Sequence, residues 1–163
     1  MFKRILVPLD GSRFSSSALR YASEIAQRFE AEVILIQIVK PATPVSVVPS
    51  MVSGMESPAT AEITAQAALA EDKRNVARAK RYLNGKVRGI KSQGIKVSYR
   101  TEVGEPALSI IRFAQKGHID LVVMTTRGKG GLRRAVLGSI ADEVVRKSGK
   151  PVLVIRSQVR NKK

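Results

Sequence analysis

The residues whose types and spacing could do chemistry lie between Thr125 and Ser139. Thr125-Thr126-Arg127-Gly128-Lys129-Gly130-Gly131 follows an apolar run, and Gly138-Ser139 opens a helical pattern. Glycines at 128, 130 and 131 let the backbone approach a ligand closely and turn successive N–H groups inward. The start of a helix adds unpaired donors and a positive dipole end. Ser139 is expected as the N-cap, with a hydroxyl able to bond a phosphate oxygen. Arg127, Lys129, Arg133 and Arg134 supply cations around it. Charge-assisted hydrogen bonds contribute roughly 1.5–3 kcal/mol each, so a handful would hold a di- or triphosphate. The glycines alone suit a plain surface loop equally well; their place between a strand and a helix favours phosphate. No Gly-x-x-x-x-Gly-Lys-Ser/Thr is present, and a Gly-x-Gly-x-x-Gly begun at Gly128 meets Arg133 where its last glycine belongs.

Other chemistry is scarce. The 163 residues include no cysteine, which excludes disulfides, thiol catalysis, zinc ribbons and iron–sulfur clusters. The single histidine, His118, stands in Lys116-Gly117-His118 and is expected to be a solvated loop residue. Asp10 ends the first apolar run and begins an Asp-Gly turn, a position that suits ligand contact as well as local hydrogen bonding.

These residues need elements to hold them. Ile5-Leu6-Val7-Pro8-Leu9 reads as a short buried strand, and Ala18, Ala22, Ile25 and Phe29 as the apolar face of the helix that follows. Glu32 to Val39 is a second, β-branched strand. Four prolines and Gly54 fall between Lys40 and Thr60, which reads as one long loop. The composition turns helical from Ala61, with Val76, Leu83, Val87 and Ile90 on one face and Arg74, Arg78, Arg81 and Arg88 opposite. A third strand is predicted over about Lys96 to Glu102, then a helix begun by Pro106, a fourth strand Leu121 to Thr125, a helix from about Ser139 to Lys147, and a fifth strand Val152 to Ile155. Long crossovers between unalternating strands imply an α/β fold: an open five-stranded parallel sheet with helices on both faces, Rossmann-like. Its ligand site belongs at the carboxyl ends of the strands, where Asp10 and the 125–139 loop meet if the first and fourth strands are neighbours.

At these motifs the sequence resembles the universal stress proteins. Their nucleotide signature is Gly-x-x-Gly, nine residues, then Gly-Ser/Thr. Gly128, nine residues and Gly138-Ser139 match it, with Thr125 in place of the first glycine. Ile5 to Ser12, Gly104-Glu105-Pro106-Ala107 and Pro151 to Ile155 resemble the family's first strand and turn, third-strand exit and last strand. The resemblance implies one domain over 1–157, carrying the 40–60 loop, with 158–163 as a basic tail and a fold like that of the adenine nucleotide alpha hydrolases. It implies adenine-nucleotide contacts from Pro8, Asp10, Ile38, Met124, Thr125, Arg127, Gly128, Gly138, Ser139 and Ile140. ATP is the implied ligand, with any Mg or Mn held by its phosphates. It also implies a homodimer through Val152, Leu153, Val154 and Ile155.

Charge divides the chain. Of 29 Lys plus Arg and 13 Asp plus Glu, residues 1–72 hold six and eight, and the remainder 23 and five. Ten basic and no acidic residues lie between Lys73 and Arg100. Seven aromatics and no tryptophan supply poor stacking platforms, so nucleic-acid binding there would be backbone-directed and unselective. The reading is a nucleotide-binding regulatory protein of the stress-response type, with little or no catalytic turnover. A nucleotide-independent module binding polyanions through the basic helix 73–91 is the alternative. A phosphotransfer or adenylyl-transfer enzyme is poorly served by so few acid and base groups. No run approaches the ~18 apolar residues of a membrane span, and Met1-Phe2-Lys3-Arg4 leads straight into a strand, so a cytoplasmic protein is expected.

Overall fold

The computed structural model describes residues 1–42, 58–126 and 137–156. In chain order the elements are β1 (Arg4–Pro8), α1 (Arg13–Ser16), α2 (Ala18–Phe29), β2 (Glu32–Val39), α3 (Pro58–Lys91), β3 (Val97–Val103), α4 (Pro106–Lys116), β4 (Leu121–Thr125), α5 (Ser139–Lys147) and β5 (Val152–Ile155). The strands form one sheet in the order β3-β2-β1-β4-β5, and every pairing is parallel. The chain winds outward from β1 to β3, then crosses back to β4, so the order reverses between β1 and β4.

Strand pleating sends alternate residues to two cores. Ile5, Val7, Val33, Leu35, Leu121 and Val123 pack with Ala18, Ala22 and Ala26 of α2 and Leu83, Val87 and Ile90 of α3. Leu6, Ile34, Ile36, Val122 and Met124 pack on the other face with Ile110, Ile111 and Ala114 of α4 and Ala141 and Val144 of α5. Fully burying each such Ile, Leu or Val side chain contributes roughly 1.5–3 kcal/mol, which is why residues 5–8, 33–36 and 121–124 of the central strands are apolar at every position. Helices therefore cover both faces, as the unalternating strands require. No helix among the described residues is long and apolar enough to cross a membrane.

Three local expectations are corrected. The α3 helix begins at Pro58, inside the segment read as irregular up to Thr60, because proline is well suited to a first helical position. It runs through Gly85 and Gly89, which weaken its C-terminal turns, to Lys91. A separate turn of helix, α1, precedes α2, and the Phe29 ring is not core: it lies edge-on to Phe2 at 5.4 Å while Ala26 takes the buried place. His118 is exposed, as expected, at φ 50° after α4.

The amino ends of β1 and β4 are tied together. One Asp120 carboxylate oxygen accepts the Lys3 and Arg4 N–H groups at 2.8 and 2.9 Å, and the Asp120 N–H donates to Arg4 O at 2.9 Å. Those bonds to its charged form hold the Asp120 carboxyl below the usual carboxylate range.

Candidate functional site

The β1–β4 pairing stops early. Its ladder runs only from Ile5↔Leu121 to Leu6↔Val122, although β1 continues to Pro8 and β4 to Thr125. On their outer sides both strands stay paired to the end, Pro8 with Ile36 and Thr125 with Ile155. Beyond Leu6 and Val122 the two strands are thus unladdered at their carboxyl ends, at the point where strand order reverses. Pro8 contributes to this directly, because it has no N–H to offer a neighbour. A doubly wound sheet binds ligands in this crevice.

The rim on the β1 side is a turn. The Asp10 side chain accepts the Ser12 N–H at 2.9 Å across Gly11, whose φ of 79° is one that a side chain would strain. Ser12 then caps α1 by accepting the Ser15 N–H at 3.1 Å. Ser16 reaches across to the Tyr82 hydroxyl at 2.7 Å, fixing α1 against α3.

The rim on the β4 side is Thr126. Its N–H donates to Ile155 O at 2.9 Å and its carbonyl accepts the Gly138 N–H at 2.8 Å, closing the neck of the loop. A Cβ on Gly138 would lie 2.6 Å from that carbonyl oxygen, so the approach requires glycine. Gly138, and not Ser139, is the N-cap of α5: its backbone is extended at φ −75° and ψ 155°, and its carbonyl accepts the Asp142 N–H at 2.9 Å. Ser139 is the first helical residue, with an exposed side chain. The amides of Ser139, Ile140 and Ala141 precede the first intrahelical bond and are the orphan donors of this terminus. Asp142, the acid in that first turn, bonds Arg146 at 2.6 Å, which also lowers its carboxyl pKa. The helix's own acid is thereby engaged one turn further on.

Pro8 and Met124 are buried at the carboxyl ends of their strands, and half-buried Ile38 packs against the same core as Met124. Ile38 lies across β1 from β4, about 10 Å away at the usual strand spacing. Asp10 is half-buried in the turn. Thr125 is 7% exposed and ends β4 in extended conformation, so no positive φ is asked of it. Ile140 is 36% exposed on α5. Arg127 and Gly128, with Lys129, Gly130, Gly131, Arg133 and Arg134, lie outside the described residues, as do most of the 40–60 segment and the 158–163 tail. Thr126 is the residue that sequence reasoning missed, and no local pattern marks it. The Ser12 cap was legible in the Ser-x-x-Ser spacing that ends at Ser15.

The residues present suit a phosphorylated ligand: buried apolar side chains at the strand ends, a close-approach glycine and orphan amides at a helix start. No group of three or more His, Cys, Asp or Glu among the described residues could hold a metal ion.

The family model described as the universal stress protein family matches residues 1–156. The chain is 33% identical over 156 residues to universal stress protein MJ0531 of Methanocaldococcus jannaschii, covering 96% of this chain and 83% of that one. The solved structure of MJ0577 from the same organism superposes with a TM-score of 0.79 at 25% identity, over 97% of this chain and 98% of that one. An Arabidopsis thaliana universal stress protein family protein, solved with AMP bound, shares the fold at 15% identity, with a TM-score of 0.59 over 96% and 93% of the two chains. The sheet order, its reversal between β1 and β4 and the whole-chain match agree, and the chain belongs to the universal stress protein family.

Proposed function

We propose that this protein binds an adenine nucleotide, ATP in the first instance, in the crevice between β1 and β4, and that the nucleotide regulates its interactions in a stress response. The observation that carries the reading is the early end of the ladder between these strands beside the Thr126–Gly138 neck, which ties the start of α5 to the end of β4. Pro8, Ile38 and Met124 would floor the adenosine end, with Asp10 at the ribose. Thr125, Arg127 and Gly128 would follow the chain of phosphates, and Gly138, Ser139 and Ile140 would receive the terminal ones through backbone amides and the Ser139 hydroxyl. Mg or Mn would ride on phosphate oxygens. AMP in the Arabidopsis protein supports adenine nucleotide as a ligand of this fold. The reading is of binding with little or no turnover.

The apolar, half-buried edge strand β5 suits pairing with a second copy through Val152, Leu153, Val154 and Ile155, in the cytoplasm. Heat denaturation of purified protein, analysis of the supernatant for adenine nucleotide, and calorimetric titration with ATP and with AMP test the nucleotide reading. Co-purified nucleotide or micromolar ATP binding is expected. No released nucleotide and no heat above buffer would refute it. Sedimentation of Val154→Lys beside the parent chain tests the dimer, with a monomer expected for the variant alone.

A further inference from the structure

The exposed face of α3 is charged in a way the nucleotide site does not use. Arg74, Arg78, Arg81 and Arg88 follow steps of four, three and seven, which place them in one stripe opposite buried Ala79, Leu83, Val87 and Ile90. All four are exposed, and Lys73, Lys80 and Lys91 are exposed on the same helix. Arg74 to Arg88 spans about 21 Å at the helical rise.

On α2 and α5, three cations find acids on their own helix. Arg20 pairs with Glu24, Arg146 with Asp142 and Lys147 with Glu143, each one turn apart. Among the described residues, none of the ten cations from Lys73 to Arg100 is in an ion pair. The nearest preceding acid, Asp72, accepts the Ala42 N–H at 2.7 Å. Like charges one turn apart destabilise a helix, so Arg74–Arg78 and Arg78–Arg81 are unfavourable until an anion separates them. Guanidinium groups are, moreover, the side chains whose fork matches phosphate.

From this stripe we infer that α3 docks on the phosphate backbone of a nucleic-acid duplex, independently of any nucleotide in the crevice. A duplex carries one charge per about 1.7 Å of axis, so a straight stripe of this length meets phosphates throughout. Over residues 73–91 the apolar face of α3 lies in the core, and no large apolar side chain there is exposed to enter a lipid surface. Its one aromatic, Tyr82, is bonded to Ser16 and covered by the Lys86 ammonium at 5.3 Å, so it offers no platform for unstacked bases. Recognition is therefore of backbone shape and charge, without sequence preference.

Fluorescence anisotropy with two unrelated 25-base-pair duplexes, one single strand of equal length and vesicles of 30% phosphatidylserine tests this. Four phosphate contacts predict a slope of about −3.6 in log affinity against log salt, a loss of roughly 150-fold between 50 and 200 mM. The triple variant Arg74→Gln, Arg81→Gln, Arg88→Gln, which keeps good helix formers, should lower the slope to about −0.9. Arg81→Gln alone should remove about 0.9 of it, should the triple variant unfold. A control that removes the same charge from exposed Arg13, Arg28 and Lys116 should bind as the parent does. Equal weakening in the control, tighter binding to the single strand or the vesicles, or no duplex binding at 50 mM salt would each overturn the proposal.

Discussion

Gly138→Ala isolates the neck of the loop. At φ −75° and ψ 155° any L-residue is comfortable, so the backbone conformation raises no objection to alanine. Space does. The new methyl would lie 2.6 Å from Thr126 O, closer than the 3.0 Å below which something must shift. The obstructing atom is backbone, held by Thr126's bond to Ile155 at 2.9 Å and by Gly138's own bond at 2.8 Å. Relief by a few tenths of an ångström strains one of those bonds or tilts α5, and overpacking of this kind costs about 2 kcal/mol. Alanine is also a poorer N-cap than glycine. For a domain of this size the melting temperature should fall by roughly 4–8 °C. Urea unfolding followed by circular dichroism reads the change directly, with Gly89→Ala as the control. A Cβ at Gly89 meets nothing within 4 Å, so alanine there should raise stability by roughly 0.5–1 kcal/mol through helix propensity. If Gly138→Ala proves as stable as the parent, or moves with the control, the close approach does not constrain the loop as argued.

Two further substitutions address the strands. Asp120→Asn keeps the shape of the β1–β4 tie but removes its charge, and should cost about 1 kcal/mol at neutral pH. Because the folded-state pKa of Asp120 is lowered, its contribution is complete above the unfolded value near ~4 and fades as pH falls through the folded one. The gap between parent and variant in urea unfolding should therefore be constant from pH 7 to 5 and shrink towards pH 3; a gap unchanged at pH 3 would refute the charge as its source. Thr125→Gly restores the family's first glycine, yet Thr125 is already extended and buried. Calorimetry should show ATP affinity changed by less than about threefold, and unfolding a loss of about 1 kcal/mol from the strand; a tenfold gain in affinity would mean the threonine side chain obstructs the ligand.

Much of this architecture was written in short-range pattern. Ile5 to Leu9, Glu32 to Val39 and Leu121 to Thr125 read as buried parallel strands because both of their faces are covered, and Pro106 marked the start of α4. The face of α3 was equally legible, since Leu83, Val87 and Ile90 must bury together and thereby turn the arginines outward. What escaped depends on residues far apart in sequence. Gly138 displaces Ser139 as N-cap because its N–H finds Thr126, twelve residues earlier, a preference for close packing that a local rule for serine does not contain. The early end of the β1–β4 ladder is likewise a matter of two strands separated by over a hundred residues. Phe29 looked like core by its spacing, but its ring meets Phe2 from the chain's beginning.

Thr126 gives one address to two events. Its amide hydrogen is bonded to the edge strand β5 and its carbonyl to the cap of α5, so the torsions at this residue relate the one to the other. A ligand that shifts the α5 cap and a chain that adds itself to the β5 edge would act on the same conformational variable. Linkage then makes them reciprocal: whatever factor the first applies to the affinity of the second, the second must return to the first.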